Sequence, residues 1–166
     1  MEYPIIDTHA HYDDEQFDKD REKLLTILPE VGIELVVNVG ASIESSKTTI
    51  GLTKTYPHVY GAVGVHPSNT EELNEENFQW LSQAARQEKI VAVGEIGLDY
   101  YYDEPDRQIQ KEWFARQIEL AEHVGLPIII HSREAAQDTY DIMKASHCQE
   151  IGGVIHCFSY SVEMAK

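Results

Sequence analysis

Three features of this 166-residue sequence predict an α/β protein of the (β/α)8 TIM-barrel type, present as an incomplete barrel of about six βα units. Short β-branched runs alternate with longer amphipathic stretches from end to end, the pattern of a parallel sheet wrapped in helices. The strand-helix unit recurs roughly every 25 to 35 residues, near the ~30 of one barrel step. Polar, chemically capable residues stand at the carboxyl ends of the strands, where barrel active sites are built. A complete open sheet would give the same alternation. No Gly-x-Gly-x-x-Gly follows the first strand, however, and the open sheet is the less favoured reading.

In chain order, the predicted strands are Tyr3 to His9, Glu34 to Val39, Val59 to Val65, Ile90 to Glu95, Leu126 to His131 and Gly152 to Cys157. Helices are expected over Asp18 to Val31, Ser42 to Tyr56, Asn74 to Glu88, Asp106 to Val124 and Arg133 to Ala145, with a last start at Ser161. Ser42 and Asp106 read as N-caps, Glu30-Val31-Gly32 and Val124-Gly125-Leu126-Pro127 as helix exits, and Pro57 as the break after the second helix. No linker, low-complexity tract or internal repeat beyond the βα unit interrupts the pattern, so residues 1–166 form a single domain. Six strands do not close an eight-stranded barrel. The expectation is therefore a truncated domain short of about two βα units, with unpaired edges on the first and sixth strands.

A hydrophobic fraction of 42% supports one sizeable core. No stretch approaches the ~18 apolar residues of a membrane span, and the N-terminus lacks a basic region followed by an apolar one, so the expected location is cytoplasmic. Cys148 and Cys157 lack Cys-x-x-Cys spacing and read as reduced thiols. The net charge of −16 is the wrong sign for a broad basic surface that gathers nucleic acid. A phosphate substrate must then be attracted locally, which divalent cations held by acids and histidines would do.

The chemistry begins at Asp7-Thr8-His9-Ala10-His11, where residues two apart on a strand present two imidazoles to one face. Two nitrogens do not hold a catalytic ion, so further ligands must come from other strand ends. Glu95, between apolar and glycine neighbours, is a nearly buried carboxylate that needs either a metal or a base such as Arg133. His131 and His156 each end an apolar run on successive strands. Together, His9, His11, Glu95, His131 and His156 suit two divalent ions a few ångströms apart, with Glu95 shared. His66 is open between a further ligand, a proton donor and a substrate contact, and Arg133 between a fork for a phosphate oxygen and an ion pair at a helix start. Asp99 either caps a turn or orients a histidine. His58, His123 and His147 read as surface residues, and Glu71 to Glu76 as a solvated helix start.

In these motifs the sequence resembles the TatD family of metal-dependent hydrolases, within the amidohydrolase-like barrels. The resemblance rests on Asp7-Thr8-His9-Ala10-His11, Gly64-Val65-His66-Pro67, Val93-Gly94-Glu95-Ile96-Gly97-Leu98-Asp99-Tyr100, Leu126-Pro127-Ile128-Ile129-Ile130-His131-Ser132-Arg133 and His156-Cys157-Phe158-Ser159, in that order across the whole chain. It implies deoxyribonuclease activity, commonly as a 3′-to-5′ exonuclease, with two divalent cations: Mg2+ first, Mn2+ or Zn2+ as alternatives. His9 and His11 match ligands of one ion, Glu95 the bridging carboxylate, and His131 and His156 ligands of the other. Glu95 and His66 are then the candidate catalytic residues, Arg133 and His66 the substrate contacts, and DNA ends or single strands the substrate. The family also uses an aspartate at the end of the eighth strand, a position this chain does not reach, so turnover is expected to be impaired. Tyr160 stands where the family usually has glycine. Competing readings are an enzyme acting on an amide, ester or lactone, and a non-catalytic binding protein or inactive fragment.

Overall fold

A computed structural model describes residues 3–166, in which six strands alternate with six α-helices. The elements are β1 (Ile5–Ala10), α1 (Arg21–Ile27), β2 (Ile33–Val39), α2 (Ile43–Thr55), β3 (Val59–Val63), α3 (Glu75–Ala84), β4 (Ile90–Asp99), α4 (Arg107–Val124), β5 (Ile128–Arg133), α5 (Ala136–Ala145), β6 (Gly153–Ile155) and α6 (Val162–Ala165). Every strand lies parallel to its neighbour in sequence, giving one sheet in the order β1-β2-β3-β4-β5-β6. The sheet curls into a half-barrel. Its curl is visible in the side chains, because the rings of His9 on β1 and His156 just after β6 stack with centroids 3.6 Å apart although their strands are the two outer ones.

Side-chain alternation divides the core into two layers, as a period of two requires. Ile128 and Ile130 face outward and pack with Phe114, Ile118 and Ala121 of α4, whereas Ile129 faces inward with Val39, Ala62 and Ala92. Strand β4 is almost wholly buried. Beneath the strands' carboxyl ends, the concave side keeps a cavity of about 280 Å³ lined by Val37, Ala92, Ile129, His9 and His156. At the sheet margins Ile5, Ile6 and Val154 remain more than half exposed.

Helix boundaries follow the caps. Ser42, Asn74 and Asp106 each accept a backbone N–H of the first turn, at 3.0, 3.0 and 2.8 Å, and Gly125 closes α4 in the left-handed region at φ 71°. The helix expected over Asp18 to Val31 is shorter: α1 gives way to a 3-10 turn at Leu28–Val31 that carries Pro29, whose ring and missing N–H end regular α-helix. Strand β4 is longer than expected, running past Glu95 to Asp99. Gly97 and Asp99 resemble turn residues in sequence, yet Gly97 is required inside the strand. At φ 143° it sits so close to the His131 carbonyl that any Cβ would collide with it and push β4 off β5.

Candidate metal centre

Two irregularities in the sheet aim the site. Between Asp7 and Ala10, three steps along β1 face two along β2, and between Val93 and Ile96 three steps along β4 face two along β5. Such bulges turn side chains out of the regular pleat. They fall at Thr8-His9 and at Gly94-Glu95, so His9 and Glu95 both project from bulged backbone toward the concave rim.

There the Nε2 atoms of His9 and His11 lie 3.0 Å apart, at 3.4 and 3.7 Å from Glu95 Oε2. His11 donates Nδ1–H to the Val39 carbonyl at 2.8 Å, which in the neutral ring leaves its Nε2 as a bare lone pair pointing into the cluster. Fully buried Asn38 holds the loop that follows, accepting the Tyr12 N–H at 2.6 Å while its amide donates to Asp13 and Thr49. His156 completes this side, within ligand reach of both His9 and Glu95. Burial, and then the neighbouring His9 ring, hold His156 below the ordinary imidazole range. Lone pairs converging on a carboxylate that is only 4% exposed are the donor set of a divalent cation, so the residues present fit a metal.

The other oxygen of Glu95 serves a second group. Oε1 faces His131 Nδ1 at 3.0 Å, and His131 Nε2 faces Asp99 Oδ2 at 3.0 Å. Burial opposes charge on Glu95, but hydrogen bonds from His131 and His9 outweigh it and hold the carboxyl far below the usual range. Burial likewise disfavours a charged His131, and the two carboxylates overcome it and raise its pKa. His66 lies with its ring centroid 4.2 Å from that of His131, and His66, Asp99 and His131 are mutually within ligand reach. Its Nδ1 accepts the Ser68 N–H at 3.1 Å, so the neutral ring carries its proton on Nε2 and acts as a donor.

Burial, and then the charge on His131, push His66 down to about 4. An unfolded chain, with an ordinary imidazole at about 6.5, binds that proton more readily, so His66 contributes stability above pH 6.5 that is lost as pH falls toward 4. Between pH 7 and 5 the metal-free protein is expected to lose about 2 kcal/mol more unfolding free energy than His66→Asn, which keeps an acceptor for Ser68. Urea titrations in chelator at both pH values measure the difference, and equal losses would show that His66 is not desolvated.

The five expected ligands thus meet on one rim in two groups joined by Glu95, but His156, expected beside His131 as a ligand of the second ion, stands instead with His9 and Glu95, because the curl of the sheet carries its ring onto that of His9. Asp99 enters the second group as the partner of His131. Arg133 does not pair with Glu95; its guanidinium lies over the Tyr101 ring. Glu72, read as part of a solvated run, is instead half-buried and accepts the Ile43 N–H at 2.8 Å at the start of α2. His58, expected at the surface, has its Nε2 enclosed without a partner. Tyr160 folds back so that its hydroxyl accepts the Ala135 N–H at 3.2 Å and meets the Ser132 hydroxyl at 3.0 Å. Two fully buried glutamines of α4 were not legible as site residues. Gln110 accepts the Asp99 N–H at 2.9 Å and donates to its carbonyl at 3.0 Å; Gln117 does the same for Val65 at 2.8 and 3.1 Å. Their only sequence signal is an amide seven residues from another on the apolar face of a helix.

Comparison with known proteins agrees with this geometry. The sequence is 39% identical over 162 residues to an uncharacterized metal-dependent hydrolase, YabD, of Bacillus subtilis, covering 98% of this chain and 64% of that protein. It is 34% identical over 164 residues to the Escherichia coli counterpart YjjV, covering 98% and 63%. The crystal structure of YjjV, described as a TatD homolog, superposes with a TM-score of 0.89 at 33% identity over 97% of this chain and 62% of that one. An uncharacterized amidohydrolase of Saccharomyces cerevisiae shares the fold, with a TM-score of 0.83 at 20% identity. This chain therefore spans a little under two thirds of the relatives it matches. Among the described residues no helix is long and apolar enough to cross a membrane. With the TatD related DNase family matching residues 6–166, the chain belongs to the TatD family of metal-dependent hydrolases.

Proposed function

We propose that this chain carries the metal-binding part of a deoxyribonuclease that removes nucleotides from DNA ends, in the 3′-to-5′ direction, using two divalent cations, Mg2+ first. The observation that carries the reading is the division of labour on Glu95: Oε2 faces the His9 and His11 nitrogens while Oε1 faces His131. A carboxylate shared in this way is what two adjacent ions require. His9, His11, Glu95 and His156 would hold one ion, and Glu95 with His131 and Asp99 the other. Bound there, the cations would supply Lewis acidity at the attacking and leaving oxygens of a phosphodiester.

The chain's own groups provide the rest. Neutral His66 donates Nε2–H to a phosphate oxygen, a contact that persists at neutral pH because the ring stays unprotonated on Nδ1. Asp99 fixes the His131 ring, and the Val39 carbonyl fixes the tautomer of His11. In a chain of net charge −16, DNA has no other reason to approach, so binding depends on the cations. A glutamate in the shared position, where related barrels acting on amides and lactones usually carry lysine, supports the phosphodiester reading.

Chelation is expected to abolish release of 3′-terminal nucleotides from a DNA oligonucleotide, and added Mg2+ or Mn2+ to restore it. Lactones and acyl amides serve as the competing substrates. Metal-dependent cleavage of those, without nucleotide release, would overturn the proposal.

A further inference from the structure

We propose that Tyr101 and Tyr102, together with Arg133, form a stacking subsite for a nucleobase of single-stranded nucleic acid beside the metal centre. The proposal rests on the phosphodiester reading above for its substrate class. It starts from three consecutive tyrosines that behave differently. The Tyr100 hydroxyl donates to Asp138 at 2.7 Å, and the Arg107 guanidinium covers its ring at 4.4 Å, so this residue is fixed by the fold. Tyr101 and Tyr102 are 52% and 56% exposed, and neither hydroxyl has a hydrogen-bond partner among the described residues. Their rings meet edge to face, with centroids 4.8 Å apart at 89°.

Arg133 joins them, its guanidinium 3.6 Å from the Tyr101 centroid and 5.8 Å from that of Tyr102. Acids outnumber bases 29 to 13 in this chain, yet among the described residues Arg133 makes no ion pair. A guanidinium laid on an aromatic face keeps its N–H edge free for an incoming anion. The platform is also tied to the metal centre. Asp99 Oδ1 accepts the Tyr101 N–H at 3.0 Å while Oδ2 faces His131 Nε2, and the Tyr100 N–H donates to the Arg133 carbonyl at 2.9 Å. One carboxylate therefore positions both a candidate ligand and the loop that presents the two exposed rings.

Two half-exposed rings and a cation without an ion pair, beside a centre suited to phosphate, match the groups of a nucleotide: the phosphate at the histidine rim and on Arg133, the base on the ring faces that Arg133 leaves open. Stacking accepts every base, because each has a π-face, and an enzyme that shortens strands of any sequence needs a hold of that kind.

The test compares fluorescein-labelled oligothymidine with an oligomer of the same length and charge built from abasic sites, by anisotropy in Mg2+, with nucleotide release followed in the same samples. The wild-type chain is expected to bind oligothymidine at least about tenfold more tightly, in line with the value of one or two stacked bases. In the double variant Tyr101→Ala/Tyr102→Ala that preference should fall toward unity, and in Tyr101→Phe/Tyr102→Phe, which keeps both rings, it should persist. A wild type without preference, or a double alanine variant that retains it, would overturn the subsite. Base-dependent binding with no nucleotide release sinks the nuclease reading and leaves the subsite standing; release from both oligomers with equal kcat/KM does the reverse.

Discussion

Glu95→Gln is expected to reduce metal-dependent hydrolysis by well over the 10- to 100-fold typical of a residue that only orients a ligand. The substitution is nearly isosteric, so packing at this 4% exposed position survives. What changes is charge and direction. Glu95 accepts from both sides, with His131 Nδ1 at 3.0 Å on one oxygen and His9 Nε2 at 3.4 Å on the other. A glutamine must turn its NH2 toward one of these groups, placing N–H donors where a lone pair is needed. Calorimetric titration with Mn2+ should show both binding events weakened, and nucleotide release should fall with them. Asp99→Asn is the comparison: it keeps an acceptor for the Tyr101 N–H and alters only the second group, so its loss should be smaller. A Glu95→Gln chain that still takes up two ions with wild-type affinity would exclude the shared-carboxylate arrangement.

Gln117→Leu is expected to destabilise the protein by about 2–6 kcal/mol, although it replaces a buried polar side chain with an apolar one of similar size. The reason is on the partner strand. Gln117 satisfies both the N–H and the C=O of Val65, and leucine would strand both groups inside the core, at about 1–3 kcal/mol each. By contrast Glu75→Gln, which removes the exposed ion pair with Arg116, should cost far less. Denaturant unfolding in chelator measures both. The loss should carry a functional mark as well, because Val65 precedes His66. On the nuclease reading, a surviving Gln117→Leu fold should show a raised KM for DNA, whereas Glu75→Gln should not. Equal stabilities for the two variants would mean that Val65 finds other partners.

The fold was largely legible because the signals that specify it are local. Ser42, Asn74 and Asp106 cap helices where their residue types say they should, and the inward-outward alternation of Ile128, Ile129 and Ile130 is the period of a strand. The convergence of His9, His11, Glu95, His131 and His156 was foreshadowed for a related reason: a histidine or carboxylate that ends an apolar run gives up burial energy at that position, and a polar cluster is one return. What escaped was whatever depends on a distant partner. Asp99 stood open between a turn cap and a partner for a histidine, and only its contact with His131 decides for the second, at the end of a strand that runs on past Glu95. Glu72 lies in an acidic run, and its helix-capping role is invisible without the Ile43 N–H beside it. Gln110 and Gln117 carry no mark of their role in the sequence, since no spacing rule announces that a side-chain amide completes another strand's backbone.

The strand order carries a consequence for how the centre comes into being. Each strand adds to the one made just before it, so the sheet can lengthen in the direction of synthesis by closing one helical crossover at a time, with no strand pairing across a longer stretch of chain. His9 and His11 emerge first, and His156 last, from opposite ends of the chain. A nascent chain halted after β5 already has Glu95 and His131 but lacks the ring that stacks on His9. If the donors hold a cation as proposed, capture by the group that contains His9 and His156 would have to wait for the sixth strand. On the metal-binding reading proposed above, cation affinity would double as a readout of how far the sheet has assembled.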